Sequence, residues 1–135
     1  MGFINTQNTV HNHSLSKELN ISKETLINYF GYLEYSLIIK LILNFRRSFT
    51  SASRKMKKVY FYNSAFVCNY KNIMDYSYYE KLIENFVMQE LDSKYYFRDK
   101  NYEIDFILKN GNIIPVEVKY RNNVEIKNFI KVLKN

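Results

Sequence analysis

Glycine, proline and cysteine are scarce in this 135-residue chain, which holds three, one and one of them. So little glycine and proline excludes a collagen-like or low-complexity polymer, and a fold made of loops without regular elements. A single cysteine excludes an internal disulfide framework, and Cys68, set in an aromatic stretch, reads as a buried, reduced thiol. Long apolar runs are missing as well. The longest, Leu37 to Leu43, is interrupted by Lys40 and is far too short to span a bilayer. Met1 opens no signal-peptide pattern. No G-x-x-x-x-G-K-(S/T) occurs, so the chain has no ATP site of the P-loop kind. Together these absences predict a soluble, cytoplasmic protein with no membrane partner.

Apolar residues make up 47% of the chain, enough to bury a core, and the length suits one domain or two small modules. The formal charge is +7. Asn, Lys, Ile, Tyr and Phe, all with AT-rich codons, supply just over half of the residues, so abundant lysine alone is weak evidence for nucleic acid. The distribution is more informative. Residues 1–68 carry nine basic and three acidic groups, residues 69–135 eleven and ten. The basic excess therefore sits in the first half.

Residues 1–13 are polar and without period, a frayed start; His11 and His13 have no third ligand near and read as surface residues. From Ser14 the spacing turns helical. A short helix through Leu15 and Leu19 leads into the turn Asn20-Ile21-Ser22. Ser22 caps a second helix whose apolar stripe is Leu26, Ile27, Phe30, Leu33 and Leu37. Two helices joined by a tight turn form a helix-turn-helix pattern that presents Lys23, Glu24, Asn28 and Tyr32 outward, toward a DNA groove. The same pattern also fits a helical pair that only packs. Phe45 to Tyr60 contains Arg46, Arg47, Arg54, Lys55, Lys57 and Lys58 and no acid, which suits a wing laying cations along phosphates or, equally, a solvated loop. Val59 to Tyr62 reads as a short strand.

The second half starts with a helix over 75–92, with Tyr79, Leu82, Ile83, Phe86, Val87 and Leu91 as its buried face and Glu90 near the middle of that face. Strands follow over 95–98, 102–108 and 113–120, the last two joined by the hairpin signal Asn110-Gly111, and then a helix over 124–133. Along the middle strand Glu103, Asp105 and Ile107 share one face. This order could bring Glu84, Asp105, Glu117 and Lys119 together. A hard cation such as Mg2+ or Mn2+ takes one or two carboxylates and keeps several waters, and a neighbouring lysine can offset charge on a phosphate. That is the chemistry of metal-dependent phosphodiester hydrolysis.

These residues resemble the PD-(D/E)XK nuclease superfamily: Glu84 on the helix, Ile104-Asp105-Phe106 on a strand, then Pro115-Val116-Glu117-Val118-Lys119. In their wider order, Leu15-Ser16-Lys17-Glu18-Leu19, Ile21-Ser22, Lys58-Val59-Tyr60-Phe61, Glu84-Asn85-Phe86-Val87 and Glu90-Leu91 precede Glu103-Ile104-Asp105-Phe106 and Glu117-Val118-Lys119-Tyr120. That order resembles the uncharacterised C-terminal domain that follows an AAA+ ATPase module in many archaeal and bacterial proteins. The resemblance covers roughly residues 13–121. It implies an α/β (α+β) protein: a helix-turn-helix or winged-helix segment over 14–58, then a restriction-endonuclease-like α-β-β-β-α domain over 59–135, truncated at its C-terminus. It further implies Asp105 and Glu117 as metal ligands, Lys119 and Glu84 as catalytic groups, and Glu90 in support. Arg46, Arg47, Arg54, Lys55, Lys57, Lys58, Lys23 and Asn28 would bind DNA, and an AAA+ ATPase module would be a partner. Where the family pattern carries Asp-x-Gly after the Lys-x-Tyr-Phe strand, Asn63 and Ala65 stand here. The expected activity is a Mg2+-dependent endodeoxyribonuclease; the alternative is a catalytically silent DNA-binding or ATPase-regulating module of the same fold.

The metal site sets a geometric condition. A plain two-residue turn at Asn110-Gly111 would place Asp105 and Glu117 on opposite faces, since a one-residue slip flips a face. The site therefore requires an even sum of paired residue numbers across the hairpin. Either Gly111 in the left-handed region or a bulge, most naturally at Pro115, would supply it. The two carboxylates are then expected within about 6 Å of each other, with Lys119 beside them.

Overall fold

A computed structural model describes residues 9–46, 56–68, 76–100 and 102–120. Its elements run β1 (Thr9–Val10), α1 (Asn12–Glu18), α2 (Lys23–Tyr35), β2 (Ile39–Asn44), β3 (Lys57–Phe61), α3 (Ser64–Cys68), α4 (Tyr76–Leu91), β4 (Tyr95–Arg98), β5 (Glu103–Asn110) and β6 (Asn112–Val116). The fold is mixed α+β, with the strands in one sheet of order β1-β3-β2-β4-β5-β6. β2 and β4 run parallel; the other neighbours are antiparallel.

The turn between the two N-terminal helices forms as its sequence directs. After α1 the Asn20 backbone is left-handed, Ile21 N–H reaches Ser16 O and Asn20 N–H reaches Lys17 O. This Schellman closure confirms the turn expected at Asn20-Ile21-Ser22. Ser22 then caps α2, its hydroxyl accepting from Thr25 N–H at 3.0 Å, and Glu24 lies in the first turn, where the helix dipole favours an acid. The far end of α2 departs from the sequence reading. Leu37 is not the last residue of an apolar stripe: it holds φ +55° and is 63% exposed. Ile38 N–H bonds Leu33 O and Leu37 N–H bonds Glu34 O, so Leu37 occupies the left-handed closing position where glycine is usual.

The next segment is strand β2, which the sequence reading left unassigned. It lies inside the sheet between β3 and β4. The boundary expected between residues 58 and 59 thus falls inside β3, and a single sheet runs across it. β2 pairs with β4 through only Leu43–Tyr95 and Asn44–Tyr96. Beyond them the Asn44 amide continues the ladder, donating to Arg98 O at 3.1 Å and accepting from Arg98 N–H at 3.3 Å.

The core on one side of the sheet is Ile42, Tyr60, Met88, Tyr96 and Phe106, with Val87, Leu91, Val116 and Val118 packed on it. α4 supplies Met88, Val87 and Leu91 to it; the last two lie on the expected face, which is not turned inward as a whole. Tyr79, Phe86 and Glu90 are exposed, whereas Asn85 and Met88 are buried. The reason is the edge of β3. β1 covers only Lys57 and Lys58, so the peptide groups of Phe61 need other partners. Asn85 gives both: Phe61 N–H donates to Asn85 Oδ1 at 2.8 Å, and Asn85 Nδ2 donates to Phe61 O at 2.9 Å. Gln89 adds a bond to Phe61 O at 3.2 Å. Polar satisfaction of a strand edge thus sets the rotation of α4, against the direction of its apolar stripe.

The expected strand over 95–98 is β4 itself, and the strand expected from Ile113 stops at Val116. The helix expected over 124–133 lies outside the described residues, as do Arg47, Arg54 and Lys55 and the side chain of Cys68. No described helix is long and apolar enough to cross a membrane.

At the start of β4, Lys40 of β2 is buried and donates to the Asp92 carboxylate, which is 77% exposed. The hydrogen bond and charge of Lys40 hold the Asp92 carboxyl below its usual range. A depressed folded pKa gives stability that is present above the unfolded value near 3.8 and is lost as pH falls through the folded one. Asn tolerates the positive φ of Asp92, so Asp92→Asn removes the charge with little backbone strain. We expect it to cost about 0.5–1 kcal/mol at pH 7 after solvent screening, with the difference shrinking below pH ~3.5, as read by urea unfolding at both pH values.

Candidate functional site: an ammonium held by three carboxylates

β3 alternates, so Lys58 and Tyr60 project to one side of the sheet. Lys58 is 2% exposed. Its Nζ lies 3.0 Å from Glu84 Oε1, 2.9 Å from Glu103 Oε1 and 3.2 Å from Asp105 Oδ1, and 5.6 Å from the centre of the Tyr96 ring. The Tyr60 hydroxyl donates to the same Glu84 oxygen. The outer oxygen of Glu103 takes Arg98 at 2.9 Å. Asp105 Oδ2 accepts from Val118 N–H at 2.9 Å. Next to that amide, Glu117 pairs with Lys119, and Glu117 Oε2 is buried with no hydrogen-bond donor among the described residues.

Burial alone would strip Lys58 of its proton, but the three carboxylates outweigh it and hold its pKa well above the lysine norm. Burial pushes Glu84 above the usual carboxylate range; Lys58 opposes that, and the Asp105 charge adds to it. Burial and the Glu84 charge push the Tyr60 hydroxyl up, so it stays a proton donor. The site at neutral pH is thus a buried ammonium among acids, with a neutral phenol beside them.

Two backbone irregularities deliver these acids. Across the β5–β6 hairpin the pairs are Asn110–Asn112, Lys109–Ile113, Leu108–Ile114, Ile107–Pro115 and Phe106–Val116, each summing to an even number. Gly111 makes this possible with φ +77°. The even register expected for the hairpin is therefore present, through glycine, and Pro115 pairs regularly without a bulge. A bulge does occur, but against β4: between Tyr95–Ile107 and Phe97–Ile104 the β5 strand holds one residue more than its partner. It lets the consecutive residues Asp105 and Phe106 reach the same side, Asp105 to Lys58 and Phe106 to the Tyr60 ring at 5.6 Å. The alternation expected through Ile107 ends there.

Of the site residues expected from sequence, Glu84 and Asp105 share Lys58, Asp105 is tied to the segment after β6 that carries Glu117, and Lys119 sits on Glu117. Glu90 is exposed and joins none of them, because α4 turns Asn85 and Met88 inward instead. Lys23 and Asn28 are exposed on α2, as expected. Lys58, expected on a DNA-facing surface, is instead buried in the acidic cluster. Arg46 is folded back, donating to Arg98 O at 2.7 Å and lying 5.5 Å from the centre of the Phe97 ring, while Lys57 belongs to β3. Sequence reading missed the site roles of Lys58, Tyr60, Glu103, Arg98 and Asn85. The alternation Lys58-Val59-Tyr60 carried a usable signal for the first two. Among the described residues no group of three or more His, Cys, Asp or Glu is arranged to hold a metal.

A mixed α+β domain built on one sheet, with a cation-centred acidic cluster on its face, is the class this architecture defines. By sequence the chain belongs to a family described as a domain of unknown function (DUF8612), matched over residues 4–77. Residues 79–135 match a second family, also a domain of unknown function (DUF4143). An uncharacterized protein of Methanocaldococcus jannaschii is 29% identical over 138 residues, covering 90% of this chain and 30% of that protein. The chain thus spans under a third of that relative. No solved structure matches. The cluster crosses the two matches: Lys58 and Tyr60 lie in the first, Glu84, Glu103 and Asp105 in the second.

The hairpin register gives a direct test. A Cβ at Gly111 meets nothing within 4 Å, so substitution there acts through the backbone alone. Gly111→Val should cost about 1–2 kcal/mol in urea unfolding and Gly111→Asn distinctly less, because asparagine tolerates positive φ. Equal losses for the two would remove the left-handed requirement.

Proposed function

We propose that this chain is the DNA-associated, nuclease-type part of a larger protein and acts in Mg2+- or Mn2+-dependent phosphodiester hydrolysis. The observation that carries the reading is the even hairpin register, which ties Asp105 to the Val118 amide and leaves Glu117 Oε2 buried with no donor among the described residues. A buried carboxylate oxygen lacking a donor suits a cation. Mg2+ is commonly held by one or two carboxylates and its own waters, so Asp105 and Glu117 would hold it without a third protein ligand. When bound, such an ion supplies an activated water and offsets charge on the phosphate. Lys119, paired with Glu117, would hold charge at the phosphate, and Glu84 would support Asp105 through their common lysine. The second reading is a catalytically silent DNA-binding or ATPase-regulating module; the specific observation in its favour is that an internal ammonium already neutralises the acids. In either reading an AAA+ ATPase module is the proposed partner, on the family resemblance.

Plasmid nicking in Mg2+ or Mn2+ decides between them. Wild type should cut, and Glu117→Ala and Lys119→Ala should each lower the rate by about 100-fold or more, the scale of lost electrostatic stabilisation. DNA binding without nicking would leave the silent module; nicking that survives both substitutions would place the chemistry elsewhere.

The DNA contacts have their own readout. Replacing Arg47, Arg54 and Lys55 by Ser should weaken binding for all sequences alike. It should also flatten the log–log salt dependence by roughly one unit per lost phosphate contact. An unchanged slope would make this basic stretch an ordinary solvated segment.

A further inference from the structure

We propose that Lys58 is a tethered counter-cation of the acidic site, a positioning residue whose ammonium stands where Glu84, Glu103 and Asp105 would otherwise collect a divalent cation. An ammonium has three donors, and each is matched here by a different carboxylate, at 2.9–3.2 Å. Three acids converging on one buried point repel one another unless a positive charge lies between them. The oxygens that meet Lys58 are also the ligand type that hard divalent cations take, at distances about 0.5–1 Å shorter. Little movement of the acids would therefore exchange one cation for the other. The charge is covalently attached to β3, so the acids remain grouped before any ion arrives. The inference rests on the divalent-cation reading through Asp105, which both share. It concerns what holds that carboxylate, not whether DNA is cut.

The test uses the full chain, with thermal unfolding by circular dichroism and Mn2+ binding by electron paramagnetic resonance. Lys58→Met keeps most of the stem and removes the charge. In EDTA it should lower Tm by about 5 °C or more, well beyond Lys57→Met on the same strand. Mn2+ should then restore most of the loss, because an ion that binds only the folded state stabilises it. Its Mn2+ affinity should exceed that of wild type by about tenfold or more, the gain expected when a competing cation worth some 1.4 kcal/mol is removed. If Lys58→Met is unfolded in EDTA, Mn2+ should refold it. Lys58→Met/Glu84→Gln, with one acid neutralised, should fold better in EDTA and lose the gain in Mn2+ affinity. The inference is overturned if Lys58→Met is no less stable than Lys57→Met. It is equally overturned if Mn2+ stabilises it no more than wild type, or fails to refold it. Wild type that binds Mn2+ but never nicks DNA would sink the nuclease reading and leave this comparison intact. Nicking that depends on Glu117, with no Mn2+ gain in Lys58→Met, would do the reverse.

Discussion

The structure depends on one charged group placed where charge is expensive. A buried ammonium loses several kcal/mol of hydration, and only close, well-oriented acids offset that loss. Lys58 has three. Their own burial is tolerable because Lys58 is there, and Glu84 still remains harder to ionise than an exposed carboxyl. The dependence is centred on Lys58: removing it leaves three converging acids without the charge between them. Around the cluster, four carboxylates (Glu84, Glu103, Asp105, Glu117) meet three cations (Lys58, Arg98, Lys119). The local field is therefore slightly acidic within a chain that is basic as a whole. Such a field draws in small cations more readily than phosphates.

Side-chain chemistry alone would not assemble this arrangement; strand parity does. Gly111 sets the β5–β6 ladder to an even register, and the β5 bulge lets Asp105 face the cluster while Phe106 faces the core. The two irregularities act on the same residue from opposite edges. One sets the β6 register and so brings the Val118 amide to Asp105, the other sets where the Asp105 side chain points relative to β4. Without the bulge, strict alternation would send Phe106 to the opposite side from Asp105, and the core would lose the ring that packs on Tyr60.

The parity requirement was legible because it follows from counting residues. Asn110-Gly111 marked the hairpin, and the need for Asp105 and Glu117 on one face dictated an even register before any coordinates. The Ser22 cap and the Asn20 turn were legible for a similar reason: each is a local bond made by a residue type that favours it. The face of α4 was legible only in part, through Val87 and Leu91. Its apolar stripe pointed to Phe86 and Glu90, yet Asn85 and Gln89 face inward to serve the peptide groups of Phe61, a demand that exists only once β3 has an uncovered edge. Leu37 misled in the same way, since it continues the helical spacing but sits in a left-handed position usually given to glycine. Lys58 was hidden by company: five other cations within thirteen residues made it look like one more phosphate contact.

The cluster joins residues far apart in the chain: Lys58 and Glu84 are 26 apart, Lys58 and Asp105 47 apart. β3 and β5 are not neighbours in the sheet; β2 and β4 lie between them. At roughly 4.8 Å per strand, that is a long crossing over the face of the sheet, which a lysine lying over the Tyr96 ring can begin and two acids can complete. Closing such long loops is entropically costly, so the cluster depends on the sheet that holds β3 and β5 in place on either side of β2 and β4. The β2–β4 pairing rests on two residue pairs, on the amides of Leu43 and Phe45, which donate to Lys94 O and Tyr96 O, and on the Asn44 side chain. This short seam unites the segment carrying Lys58 with the segment carrying its acids.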